Sequence, residues 1–174
     1  MAAAARGRTQ THGPDGNARA VSRSHPASGT APLMARIRIE LPDAFPFRTR
    51  IPLLITHINH GRHLDNAQLL GLVSEARVRF LKSMGYTELD VEGLGIIVAD
   101  VAARYRSEAF HGETMVIEMA AHDFHDFGCD LAWRMTDEDS GREIAHGKTG
   151  IVFFDYGKRS KAPVPDGFRR RFPA

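Results

Sequence analysis

The sequence predicts an α+β domain in which one long amphipathic helix is followed by an antiparallel meander. Three observations carry this. A single stretch, 66–84, repeats apolar residues at spacings of three and four, and the runs around it alternate with period two. The connections between the later runs are short, which favours antiparallel neighbours.

The elements follow in order from residue 37. Ile37, Ile39 and Leu41 interleave with Arg36, Arg38 and Glu40, which reads as a strand with one buried face. Pro42 and Pro46 mark a link, and a second strand is expected over 50–58 with Ile51, Leu53 and Ile55 on one side. Pro52 has no N–H to give a ladder, so the start of this strand belongs at an edge or outside regular pairing. In the helix, Leu69, Val73, Ala76, Phe80 and Met84 form the apolar stripe, Leu70, Leu72 and Leu81 widen it, and Gly85 stops it. Arg77 falls inside that stripe and must either snorkel, the commoner fate, or meet a carboxylate. After a link over 86–95, period-two runs are centred on Ile97 to Tyr105, Met115 to Met119, Cys129 to Met135 and the stretch 143–154. Turn signals separate them at His111-Gly112-Glu113, Phe127-Gly128, Asp137 to Gly141 and Asp155-Tyr156-Gly157. A helix with so broad an apolar face needs a curved sheet to cover it.

Composition removes several function classes. The chain has 174 residues, enough for one core, and its one cysteine excludes an internal disulfide or a cysteine-only zinc cage. Cys129 alternates beside Trp133 and reads as core. No apolar run approaches the roughly 20 residues of a membrane span. Of the net charge of +2, residues 1–33 supply +3, from Arg6, Arg8, Arg19 and Arg23 against Asp15, which leaves the remainder at −1. A nucleic-acid binder would carry its cations on the folded part. Residues 1–33 lack aromatic residues and apolar periodicity and are read as a disordered N-terminal extension, with Met34 as natural start and a folded domain over 34–174. The tail's Arg- and Ser-rich, acid-poor composition is that of a transit peptide, but no amphipathic helix is visible in it.

The densest polar constellation is His57-Ile58-Asn59-His60-Gly61-Arg62-His63-Leu64-Asp65-Asn66, between a strand end and a helix start. Loops held by rigid elements concentrate binding and catalytic groups, and a helix N-terminus offers free N–H groups and partial positive charge. Asp65 with Gln68 approaches a capping box, which by itself would account for an Asp there. His57, His60 and His63 with Asp65 are ligand types for zinc, but their spacing matches no regular motif, so neither metal nor cofactor is expected. Glu75 lies opposite the stripe, where an i,i+4 pair with Arg79 is the plain account. The patterns G-x-S-x-G, P-loop and G-x-G-x-x-G are absent.

Over about 37–165 the chain resembles the hotdog-fold acyl-CoA thioesterases of the 4-hydroxybenzoyl-CoA thioesterase type. Their signature, D-x-D-x-x-G-H-V-N-N-A at a strand-to-helix junction, is echoed by the run from His57 to Ala67. Glu75-Ala76-Arg77 with Phe80, and Lys161-Ala162-Pro163-Val164-Pro165 after the last strand, are supporting echoes. The resemblance implies a hotdog fold, one long central helix wrapped by a curved antiparallel sheet of about five to six strands. It also implies hydrolysis of an acyl-CoA or acyl-carrier-protein thioester without a metal, in the cytoplasm. The assembly implied is a homodimer or homotetramer, with sheets joined edge to edge and the acyl site at the subunit boundary.

Within that resemblance the second Asp of the signature, nucleophile or general base in such enzymes, falls at Asn59, and an amide has no titratable proton. Asp65 stands where Asn is usual, so carboxylate-assisted attack of water is expected from Asp65, or from Glu75 of a facing subunit. Backbone N–H groups near Gly61 and Asn66 would hold the oxyanion, and His60 or His63 would carry protons. Arg62, Arg104, Arg106, Lys158 and Arg159 are the candidates for the CoA diphosphate. Two further readings stay open: non-catalytic binding of an acyl thioester, which Asn59 favours, and a metal-dependent hydrolase built on the histidines.

Overall fold

The computed structural model describes residues 37–172; the extension expected over 1–33 and the start at Met34 lie outside the described residues. The chain order is β1 (Phe47–Pro52), α1 (Asn66–Ser83), β2 (Gly95–Tyr105), β3 (Thr114–His125), β4 (Gly128–Asp137), β5 (Glu143–Asp155), β6 (Ser160–Lys161) and α2 (Asp166–Arg169). All pairings are antiparallel, in the order β1-β3-β4-β5-β2, with β6 paired to the end of β5. The tight turns between β3, β4 and β5 make the meander. β1 and β2, which precede and follow α1 in sequence, take the two edges.

Register explains the core. Met119, Trp133 and Gly147 are cross-strand neighbours on one face, as are Ile117 with Met135 and Ala121 with Leu131. These side chains join Leu69, Leu72, Val73, Ala76 and Phe80 of α1 in one buried cluster. Each fully buried side chain of this size contributes roughly 2 kcal/mol of transfer free energy. Gly147 makes room for the indole of Trp133, because a Cβ there would lie 2.3 Å from the ring. Phe168 of α2 is fully buried and packs on Phe153 and Phe172, with ring centroids 5.4 and 5.2 Å away, so the C-terminal turn closes the core.

Helix α1 spans 18 residues, and Gly85 follows its cap with φ +84, the left-handed conformation that glycine adopts without cost. The edge position expected for Pro52 is observed: it pairs with Thr114 as the last residue of an edge strand, where a missing donor costs least.

Two expectations need correction. Residues 37–41 form no strand. They form an irregular segment in which Ile37 is 64% exposed and Ile39 and Leu41 half-buried; 37–42 lines a cavity with Ala102, His122, Asp130 and Lys148 of the sheet, and the Phe45 ring stacks 5.2 Å from the Arg134 guanidinium. The strand expected over 50–58 ends at Pro52, and Ile55–His57 is a 3-10 turn held by the Leu54 N–H donating 3.1 Å to His57 Nδ1. Ile55, expected inside, is therefore 68% exposed. Of the two fates open to Arg77 the structure shows the less common one, a carboxylate partner: its Nε donates 2.6 Å to Glu88. Among the described residues no helix is long and apolar enough to cross a membrane.

Candidate active site

A cleft of ≈ 350 Å³ opens between the loop that precedes α1 and the end of β2. The loop contributes Asn59 and His63, and Leu64 and Leu69 form an apolar floor beside Asn66, the first helical residue. Tyr105, Arg106, Ser107, Glu108 and Ala109 make the opposite wall, with Ile144 of β5 behind them.

The loop is rigid because its own polar groups tie it. Ile58 and Leu64 form an antiparallel bridge, the Asn59 N–H donates 2.9 Å to the His63 carbonyl, and the Arg62 N–H donates 3.0 Å to the Asn59 carbonyl. The Asn59 side chain closes the turn by accepting from the Gly61 N–H at 2.8 Å. Arg62 sits at φ 67 in this tight turn, a conformation that costs a non-glycine residue about 1 kcal/mol or more. A Cβ on Gly61 would lie 2.8 Å from His63 Nε2 and 3.1 Å from Asn59 Oδ1, so the glycine lets imidazole and amide close over it. Two backbone bonds clamp the loop to its surroundings, from the Leu64 N–H to the Ala109 carbonyl at 2.8 Å and from the Asp65 N–H to the His57 carbonyl at 2.9 Å.

His63 is half-buried and its Nδ1 lies 3.2 Å from the Leu64 carbonyl, which can only accept. The proton therefore sits on Nδ1, and Nε2 is the basic nitrogen of the neutral ring, beside Gly61 and Asn59. Asp65 is the N-cap: its Oδ1 accepts from the Ala67 N–H at 2.8 Å and the Gln68 N–H at 3.2 Å. Its side chain does not line the cleft. With those two amides and the Leu69 N–H already paired, the Asn66 N–H is the one first-turn donor without a partner among the described residues, and Asn66 faces the cleft. The Gly61 N–H, expected as an oxyanion donor, is instead consumed by Asn59.

The structure thus brings Asn59, His63, Asn66 and Arg106 together at one cleft. The other sequence candidates fall elsewhere in the chain. His60 and Arg62 are exposed at the loop tip and do not line it. Glu75 pairs with Arg79 Nε at 2.7 Å, and Arg79 in turn binds Thr49 and the Arg50 carbonyl, which fixes that pair over β1. Arg104 alternates with the cleft residue Tyr105 and so points to the opposite face of β2. Lys158 and Arg159 follow the end of β5, about 36 Å along that strand from Ile144 at the strand rise of about 3.3 Å per residue. His57, His60 and His63 do not converge: among the described residues no three His, Cys, Asp or Glu side chains are placed to hold one metal ion. Tyr105, Ser107 and Glu108 were not singled out in the sequence, since a strand exit followed by Ser and Glu carries only a turn signal.

Comparison with known proteins places the fold. The chain belongs to the thioesterase-like superfamily, whose family model matches residues 53–172. A 1,4-dihydroxy-2-naphthoyl-CoA thioesterase from Synechocystis superposes with TM-score 0.64 at 15% identity, covering 71% of this chain and 92% of its own. A thioesterase from Thermus thermophilus, complexed with coenzyme A and zinc, gives TM-score 0.63 at 19% identity, covering 75% of this chain and 100% of its own. A Staphylococcus aureus protein in complex with CoA gives TM-score 0.64 at 18% identity, covering 74% and 86%. Among curated protein sequences none matches the chain. These likenesses establish the hotdog architecture, and the family supports thioester hydrolysis as the general chemistry.

Proposed function

We propose that the protein hydrolyses an acyl-CoA, or an acyl group carried on a carrier protein, in the cleft between the 59–66 loop and the end of β2. The observation that carries the reading is the meeting, in a member of this superfamily, of an unpaired helix N-terminal donor with a basic imidazole nitrogen over an apolar floor. An acyl thioester laid on Leu64 and Leu69 would present its carbonyl oxygen to the Asn66 N–H and the positive end of α1, where charge develops as the carbonyl carbon becomes tetrahedral. His63 Nε2 would relay the proton toward the departing sulfur. Arg106 at the rim would meet the CoA phosphates.

The reading also includes a homodimer. β2 is a sheet edge, and Ile97, Val98, Val101 and Tyr105 on it are 40–55% exposed, an apolar edge that an isolated chain would leave open to chance pairing. Antiparallel pairing of β2 with its copy across a two-fold axis would cover these side chains. It would also bring the turn after β5 of a second copy, with Lys158 and Arg159, beside the cleft, adding two cations to Arg106 for the CoA phosphates. Acyl-CoA as substrate supports a cytoplasmic location.

The test is release of free thiol from a panel of short, long and aromatic acyl-CoAs. Turnover on at least one substrate, lost in Asn66→Pro, supports the reading. Asn59 favours the alternative of a thioester-binding protein without turnover. CoA binding with no thiol release on any substrate would establish that alternative.

A further inference from the structure

We infer that Glu108 is the general base of this site. The inference deepens the thioesterase reading and rests on it. Among the described residues Glu108 is the only acidic residue lining the cleft. Its backbone is held from both sides: the next residue's carbonyl accepts from the Leu64 N–H at 2.8 Å, and the preceding Ser107 donates through Oγ to the Glu143 carbonyl at 2.6 Å and through its N–H to the Ile144 carbonyl at 3.3 Å. Ala109, beside it, is 1% exposed and anchors the segment in the core. Glu108 is thus stapled directly opposite His63 and Leu64.

The carboxylate itself is unengaged. Among the described residues it accepts no hydrogen bond and joins no ion pair, whereas the two neighbouring acids are spent: Glu113 binds Arg142 at 2.9 Å and Glu143 binds His146 at 2.5 Å. Asp65 is committed to its helix cap. Arg106, the nearest cation in sequence, lies 3.9 Å from Glu143. An unpaired acidic residue on a rigid wall of the cleft that His63 and Asn66 also line is available to take a proton from water.

In the step that follows, Glu108 accepts a proton from a water molecule as its oxygen bonds to the thioester carbon. The carbon–sulfur bond then breaks, the thiolate takes the proton back from Glu108 by way of His63, and the free acid loses its own proton to solvent. Asn59, whose amide cannot do this work, keeps a structural task in the turn.

The test is Glu108→Gln in the whole 174-residue chain, with thiol release and CoA binding by calorimetry. General-base assistance typically supplies about 100- to 10,000-fold, so kcat should fall at least about 100-fold while KM and CoA affinity stay within about threefold. Glu108→Asp, which keeps a carboxylate one methylene further back, should recover part of kcat. Wild-type turnover with Glu108→Gln retained within about threefold overturns the assignment of Glu108 alone. A variant whose loss of rate is matched by a loss of CoA affinity assigns Glu108 to binding and overturns the proposal too. No thiol release by the wild type overturns the thioesterase reading and this inference with it.

Discussion

Asp65 separates helix capping from catalysis, and two substitutions at that position read the two roles independently. Its Oδ1 satisfies two first-turn amides, at 2.8 and 3.2 Å. Truncation in Asp65→Ala leaves both to water and should cost about 1 kcal/mol, which for a domain of this size lowers Tm by about 3 °C. Asp65→Asn keeps an oxygen acceptor in the same place, because Asn caps about as well as Asp, and loses only the charge–dipole attraction of about 0.3–1 kcal/mol. The carboxylate does not line the cleft, so kcat for the preferred acyl-CoA should stay within about threefold in Asp65→Asn. Thermal unfolding and thiol release on the same preparations make the measurement. A stable Asp65→Asn that has lost kcat 100-fold or more would refute the reasoning, since it would mean that the cap carboxylate leaves its amides to reach the substrate.

Three further outcomes are expected. Val101→Lys, at a position 45% exposed on the free edge, should halve the mass seen by light scattering, and a wild type that is already monomeric at micromolar concentration would dismiss the edge-paired dimer. Gly147→Ala would press a methyl to 2.3 Å from both the Trp133 ring and the Ala102 carbonyl oxygen, so urea denaturation should show a loss of about 2 kcal/mol or more, and a loss below about 0.5 would show the indole free to move. The Ser140 hydroxyl, with the Ser140 N–H and the Arg142 charge, holds the Asp137 carboxyl below the usual carboxylate range. That contribution is complete above the ordinary carboxylate pKa of about 4 and fades as pH falls through the depressed folded value. The stability penalty of Ser140→Ala should therefore be full at pH 7 and shrink in strong acid, and an equal penalty at pH 7 and pH 3 would contradict the assignment.

Much of the fold was legible in the chain because it depends on neighbours in sequence. The stripe from Leu69 to Phe80, the stop at Gly85, the alternations of β2 to β5 and the turns between them are set by periods of 3.6 and 2 acting over a few residues. Local order also made the 57–66 loop conspicuous and Asp65 a cap. Alternation alone, however, does not say what a segment lies against. Residues 37–41 alternate yet pair with no strand, and Ile55 is apolar yet exposed because His57 captures the Leu54 amide and turns the chain. The site shows the same division. Asn59, His63 and Asn66 come from the conspicuous loop, while Tyr105, Ser107 and Glu108 are joined to it through the bond between the Leu64 amide and the Ala109 carbonyl, across the whole of α1 and β2 in sequence. Periodicity determined the long helix and the strands β2 to β5; which acidic residue lines the cleft was decided by strand order and by a helix cap already occupied, and neither is a property of any short stretch of sequence.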